Sequence, residues 1–130
     1  MDPGSEYAWQ VQNYHSVIKH LDNHGDVTVI GPPGSGKTVF AGRVVFARVF
    51  KGDVLVITNN EMDWSATKPI TKGRVIVTAP EMAPQLRGRC FGTVINDTGS
   101  PAALPLPFGA PVLTLLRGAG ANVSVDLLGA

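Results

Sequence analysis

The sequence predicts an α/β fold, with a mostly parallel sheet of five to six strands and helices on both faces. Three observations lead there. Short runs rich in β-branched residues recur from Asp26 to Ile30, Asp53 to Thr58, Arg74 to Thr78, Phe91 to Ile95 and Val112 to Leu116, and Val123 to Leu127 is a possible sixth. Such runs are continuous rather than alternating, the pattern of strands buried on both faces. The intervening segments are long enough to cross over, and crossovers join parallel strands.

The elements follow in order. From Tyr7 to Asn23 the apolar residues Val11, Tyr14, Val17, Ile18 and Leu21 recur at three- and four-residue steps, which predicts an amphipathic helix stopped at Asn23-His24-Gly25. A second helix is expected from Thr38 to Phe50, broken by Gly52. Short helical pieces are expected around Glu61 to Thr67 and from Pro80 to Arg87, and a Pro-rich connection runs from Pro101 to Pro107. Met1 to Glu6 reads as a tag or ragged end, leaving one domain over residues 7–130.

Composition bounds the function. The chain has 130 residues, 44% hydrophobic and 16% charged, which is ordinary for one globular core. A net charge of +1 supplies no global field for nucleic acid. The single cysteine, Cys90, excludes an internal disulfide framework and points to a reducing, cytoplasmic compartment. It reads as a small buried hydrophobe beside a strand. No apolar run is long enough to span a bilayer.

The strongest local signal is Gly31-Pro32-Pro33-Gly34-Ser35-Gly36-Lys37-Thr38, which satisfies G-x-x-x-x-G-K-[ST] at every fixed position. Glycines let backbone N–H groups converge on phosphates, and the helix start near Lys37 adds partial positive charge. Lys37 is expected to reach the β- and γ-phosphates of ATP or another NTP. The Thr38 hydroxyl is expected to help hold Mg2+. The motif lies directly after a predicted strand and before a predicted helix, the context it requires.

With the flanking residues, the chain resembles the first RecA-like domain of superfamily 1 helicases, over roughly Trp9 to Gly120. The RNA helicases of the nonsense-mediated-decay type and their nidovirus relatives are the nearest in pattern. The resemblance implies a glutamine that reads the adenine edge, with Gln12 the candidate and Gln10 the alternative. It implies that Thr58 and Asn59, in V-L-V-I-T-N-N-E-M-D-W, touch an RNA backbone, and R-V-I-V-T-A-P-E-M-A matches the next strand. It further implies single-stranded RNA and a second RecA-like domain as partners, with an RNA-virus replicase as one possible source.

Two departures from the family pattern bear on catalysis. The fourth strand should end in Asp-Glu, the first acid holding Mg2+ through water and the second polarising the attacking water. Here F-G-T-V-I-N-D-T-G-S places Asn96 and Asp97 there. A one-residue shift would instead make Asp97 the metal-facing acid, with Thr98 at the glutamate position. Either way one acid is missing. After the fifth strand, L-L-R-G-A-G (Leu115 to Gly120) lacks the family's Gly-Asp and its γ-phosphate-sensing Gln. Nucleotide binding with weak or partner-dependent hydrolysis is therefore expected, and a non-motor nucleotide-binding interaction module is the alternative.

A competing motif occupies the same place. V-I-N-D-T-G-S also reads as the Asp-Thr-Gly-Ser loop of aspartic proteases, in which Asp97 would pair with its copy in a dimer and V-D-L-L-G-A would support the loop. That frame is nearly all-β. Elsewhere, His20 and His24 read as solvated helix-end residues rather than zinc ligands. Arg87 and Arg89 fit either a phosphate contact or a surface turn. Trp9 and Trp64 could stack on a base or close the core edge.

Overall fold

The computed structural model describes residues 8–65, 73–86, 88–100 and 109–129. Helix α1 spans Ala8–Asp22, strand β1 Val27–Gly31 and helix α2 Lys37–Arg48, which runs on into a 3-10 turn at Val49–Lys51. Strand β2 is Val54–Thr58, followed by a 3-10 turn at Glu61–Trp64. Strand β3 (Val75–Thr78), a 3-10 turn at Pro80–Leu86, β4 (Thr93–Asp97), β5 (Val112–Arg117) and β6 (Ser124–Leu127) complete the order. The expected tag at residues 1–6, the connection from Pro101 to Pro107, and Arg87 lie outside the described residues.

Among the described residues one sheet holds six strands in the order β3-β2-β4-β5-β1-β6. All neighbours are parallel except β6, which runs antiparallel to β1 as an edge strand. Connections β1→β2 and β2→β3 run towards the β3 edge, while β3→β4 returns. Right-handed crossovers then place the first two on one face and the return on the other. Packing agrees. Val54, Val56, Ile95, Leu113 and Leu115 meet α1, α2 and Trp64, whereas Leu55, Ile57 and Val94 meet Ala83 and Phe91.

Four expectations change. Both α-helices sit on one face, and among the described residues the other is covered by the turn Pro80–Leu86 and by Phe91. Pro84 lies within that turn and has no N–H to continue an α-helix. Val11, expected on the apolar face of α1, is 75% exposed, while Gln10 takes its place inside with Val17 and Leu21. Strand β4 runs two residues later than expected, because the chain at Gly92 crosses close to Gly52. A Cβ on Gly92 would lie 3.0 Å from the Lys51 carbonyl oxygen, and the Gly92 N–H donates to Asp53 O at 2.8 Å. Cys90 consequently lies in the connection and is exposed, not buried.

At the amino edge of the sheet, Arg48 is 4% exposed and engages all three guanidinium nitrogens. It pairs with Asp22 of α1, and donates to Thr93 Oγ1 at 2.8 Å and Gly92 O at 3.0 Å. This joins both helices to the start of β4. No helix among the described residues is long and apolar enough to cross a membrane.

Candidate nucleotide-phosphate site

The carboxyl edge of the sheet is built around the turn from β1 into α2. Gly34 and Gly36 adopt φ of 77° and 87°, the left-handed region that glycine enters without strain. Gly31 must also lack a side chain, since a Cβ there would lie 2.9 Å from Val123 Cγ2 and 3.0 Å from Ser35 Oγ. Gly36 caps α2 without any side-chain hydrogen bond, and no acid lies in the first turn. The N–H groups at this helix start are thus left for a ligand, beside a cleft of about 390 Å³ lined by Pro33, Gly34, Gly36, Lys37, Thr38 and Val39.

Lys37 folds back over its own loop. Its ammonium donates to Gly31 O at 2.7 Å and Pro32 O at 2.9 Å, with Ser35 Oγ at 3.5 Å. Burial lowers its pKa, the Asp97 charge opposes that, and the Arg117 charge reinforces it. Two α1 side chains brace the loop from behind: Trp9 Nε1 donates to Ser35 O at 3.0 Å and Gln10 Nε2 to Gly36 O at 3.3 Å. The Trp9 ring also packs on Phe40 of α2, with centroids 4.8 Å apart.

Asp97 ends β4, in register with Thr58 at the end of β2. Its Oδ2 accepts from Trp64 Nε1 at 3.0 Å and from Thr58 Oγ1 at 3.5 Å. Burial raises the Asp97 pKa, and the Asp63 charge adds to this. The hydrogen bonds from Trp64 and Thr58 and the Lys37 charge pull it back. Lys37 and Asp97 therefore share one electrostatic field across the sheet edge.

Strand β4 runs through both candidate acid positions and separates them. Asn96 and Asp97 are consecutive strand residues, so their side chains leave opposite faces. Asn96 is 2% exposed and serves the following loop. Its Nδ2 donates to Ser100 O at 3.0 Å, and its Oδ1 accepts from Thr98 Oγ1 at 2.7 Å. The structure thus does not bring Asn96 to the phosphate loop, and it leaves Asp97 as the acid facing Lys37. Gln12 is exposed, so Gln10 is the glutamine at the loop, and its Oε1 is buried without a partner. The burial signal was present in the sequence, because Gln10 lies seven residues before Val17 on the inward face.

Thr58 is 1% exposed and bonded to Asp97, so it offers nothing outward; Asn59 is exposed but donates to Thr98 O at 3.0 Å. Trp64 is 1% exposed and so closes the core, while Trp9 is half-buried against Phe40. Among the described residues no group of three or more His, Cys, Asp or Glu could hold a metal ion. His20 instead meets Leu128 O at 2.8 Å. The Asp-Thr-Gly-Ser loop sits in a parallel α/β sheet, and β6 is separated from β4 by β1 and β5. The protease reading therefore lacks both its all-β frame and its supporting segment. Sequence reasoning missed Arg117, which pairs in register with Gly31 beside the loop.

Comparison with known proteins returns no match among family models, curated proteins or solved structures.

Proposed function

We propose that the chain is a RecA-like P-loop domain that binds ATP or a related NTP with Mg2+. The observation that carries this reading is the uncapped start of α2 behind the loop Gly31 to Thr38, with Lys37 within reach of the loop's own carbonyls. Phosphate oxygens would take the α2 N–H groups, and Lys37 would exchange Gly31 O and Pro32 O for them. The donor set fits a cation that arrives with the nucleotide, since Mg2+ commonly uses one or two carboxylates beside phosphate oxygens. Thr38 and Asp97 would hold it, and the ion would supply charge neutralisation on the phosphates. Gln10 Oε1, buried and without a partner, is the acceptor available to a base amino group.

Hydrolysis is another matter. Asp97 is the one acid whose charge acts on Lys37 among the described residues; Asp63, the other carboxylate near it, accepts from Asn60 Nδ2, and Thr98 stands where the family places its water-polarising glutamate. Loss of such groups costs orders of magnitude in rate. The resemblance to a superfamily 1 RNA-helicase motor domain supports a partner-completed NTPase, with a second RecA-like domain and single-stranded RNA as that partner. The inward engagement of Thr58 and the Asn59–Thr98 bond favour the alternative, a nucleotide-binding interaction module without RNA contact. Turnover of ATP by the chain, alone and with single-stranded RNA and a helicase second domain, separates the two. Stimulation supports the motor reading, and affinity with negligible turnover in every context supports the module.

A further inference from the structure

Trp64 is 1% exposed at the end of the turn Glu61–Trp64, yet its indole N–H leaves the core to reach Asp97 Oδ2 at 3.0 Å. Packing alone would be served by a phenylalanine. An indole is a donor without acceptor capacity, so it can fix a carboxylate without competing for a cation. The segment around it is tied down by its own hydrogen bonds. Asn60 N donates to Thr58 Oγ1 at 3.0 Å, Asn60 Nδ2 to Asp63 Oδ2 at 3.0 Å, and Ser65 Oγ to Met62 O at 3.0 Å. Thr58 adds a longer donation to the same Asp97 oxygen at 3.5 Å.

We propose that Trp64 is a positioning residue that holds Asp97 by Oδ2 and presents its other oxygen, Oδ1, to a nucleotide-bound divalent cation. This rests on the nucleotide reading above. A carboxylate at a strand end can otherwise rotate, and a ligand not held in one rotamer loses affinity by the ordering it must undergo on binding. The run T-N-N-E-M-D-W, from Thr58 to Trp64, thereby belongs to the cation side of the site rather than to a nucleic-acid face.

The test is calorimetric titration of ATP into wild type and Trp64→Phe, each in MgCl2 and in EDTA. Trp64→Phe is expected to lose about tenfold of the Mg2+-dependent gain in affinity, while affinity in EDTA stays within about twofold. In an Asp97→Asn background, Trp64→Phe should change nothing further. Where wild type binds ATP, an Mg2+ gain in Trp64→Phe equal to that of wild type overturns this inference alone, as does an equal loss in both buffers. No binding by wild type overturns the nucleotide reading and this inference with it. Should Trp64→Phe unfold, the indole N–H resonance of Trp64 in the nucleotide-free chain decides. It should move on Asp97→Asn, and a fixed resonance overturns the proposal.

Discussion

The two ends of helix α2 sit at opposite edges of one sheet and treat their polar groups in opposite ways. At its carboxyl end Arg48 is buried, paired with Asp22 and bonded to Thr93 and Gly92. At its amino end the helix start is uncapped, Lys37 is folded onto its own loop, and Gln10 Oε1 has no partner. Satisfied polar groups in a low-dielectric setting hold a fold together. Groups left unsatisfied or placed against their preferred ionisation mark where a ligand would complete the structure. The first edge is therefore the one that secures the fold, and the second the one we propose to bind nucleotide.

The largest expected effect falls on the securing edge. Arg48→Ala removes three contacts and strands the buried Thr93 hydroxyl, so it should cost about 2–4 kcal/mol of stability. Denaturant melts check this, and a loss under about 1 kcal/mol would break the contrast. Where the variant stays folded, its nucleotide affinity should be unchanged.

Lys37→Ala should do the reverse. Stability should stay within about 0.5 kcal/mol, because the ammonium loses solvation on burial about as much as it gains from the two carbonyls. Nucleotide affinity should fall by about 1.5–3 kcal/mol, the worth of a charge-assisted hydrogen bond. Equal losses of stability at both ends would erase the distinction.

Smaller effects sharpen it. Trp9→Phe keeps the ring against Phe40 but removes the donor to Ser35 O, and should weaken nucleotide binding by about 1 kcal/mol through a less ordered loop. Asp97→Asn tests the electrostatics. Burial raises the Asp97 pKa above its ordinary 3.8, so above that pH the native state holds more protons than the unfolded chain. Wild-type stability then falls as pH rises through the raised value, a slope that Asp97→Asn lacks. The melting temperature of the variant should gain on wild type from acid to neutral pH, and a constant difference would contradict the buried placement of Asp97.

The sequence made the strand–turn–helix of the proposed phosphate loop legible because the signal is local: a strand, a glycine turn and a helix in twenty-two consecutive residues, Val27 to Arg48. The sheet order and the antiparallel β6 were not legible, since nothing local encodes which strands become neighbours. The acid site failed for a sharper reason. Strand side chains alternate, so a strand shifted from Phe91–Ile95 to Thr93–Asp97 takes in both Asn96 and Asp97 and puts them on opposite faces. The backbone crossing of Gly52 and Gly92 that sets this boundary joins positions forty residues apart, as their numbering shows. The Trp64–Asp97 bond likewise spans 33 positions. Gln10 over Gln12, by contrast, was readable from helical spacing alone.

The central claim, that the amino end of α2 is a nucleotide-phosphate site, is tested most directly by thermal shift with ATP and MgCl2 on wild type and Lys37→Ala. At about a hundred times the dissociation constant a ligand stabilises by about 2.7 kcal/mol, which for a chain of this size raises Tm by roughly 10 °C. The account predicts that shift in wild type and its loss in a Lys37→Ala variant that melts normally without ligand. No shift in wild type at millimolar ATP, or an equal shift in both proteins, would contradict it.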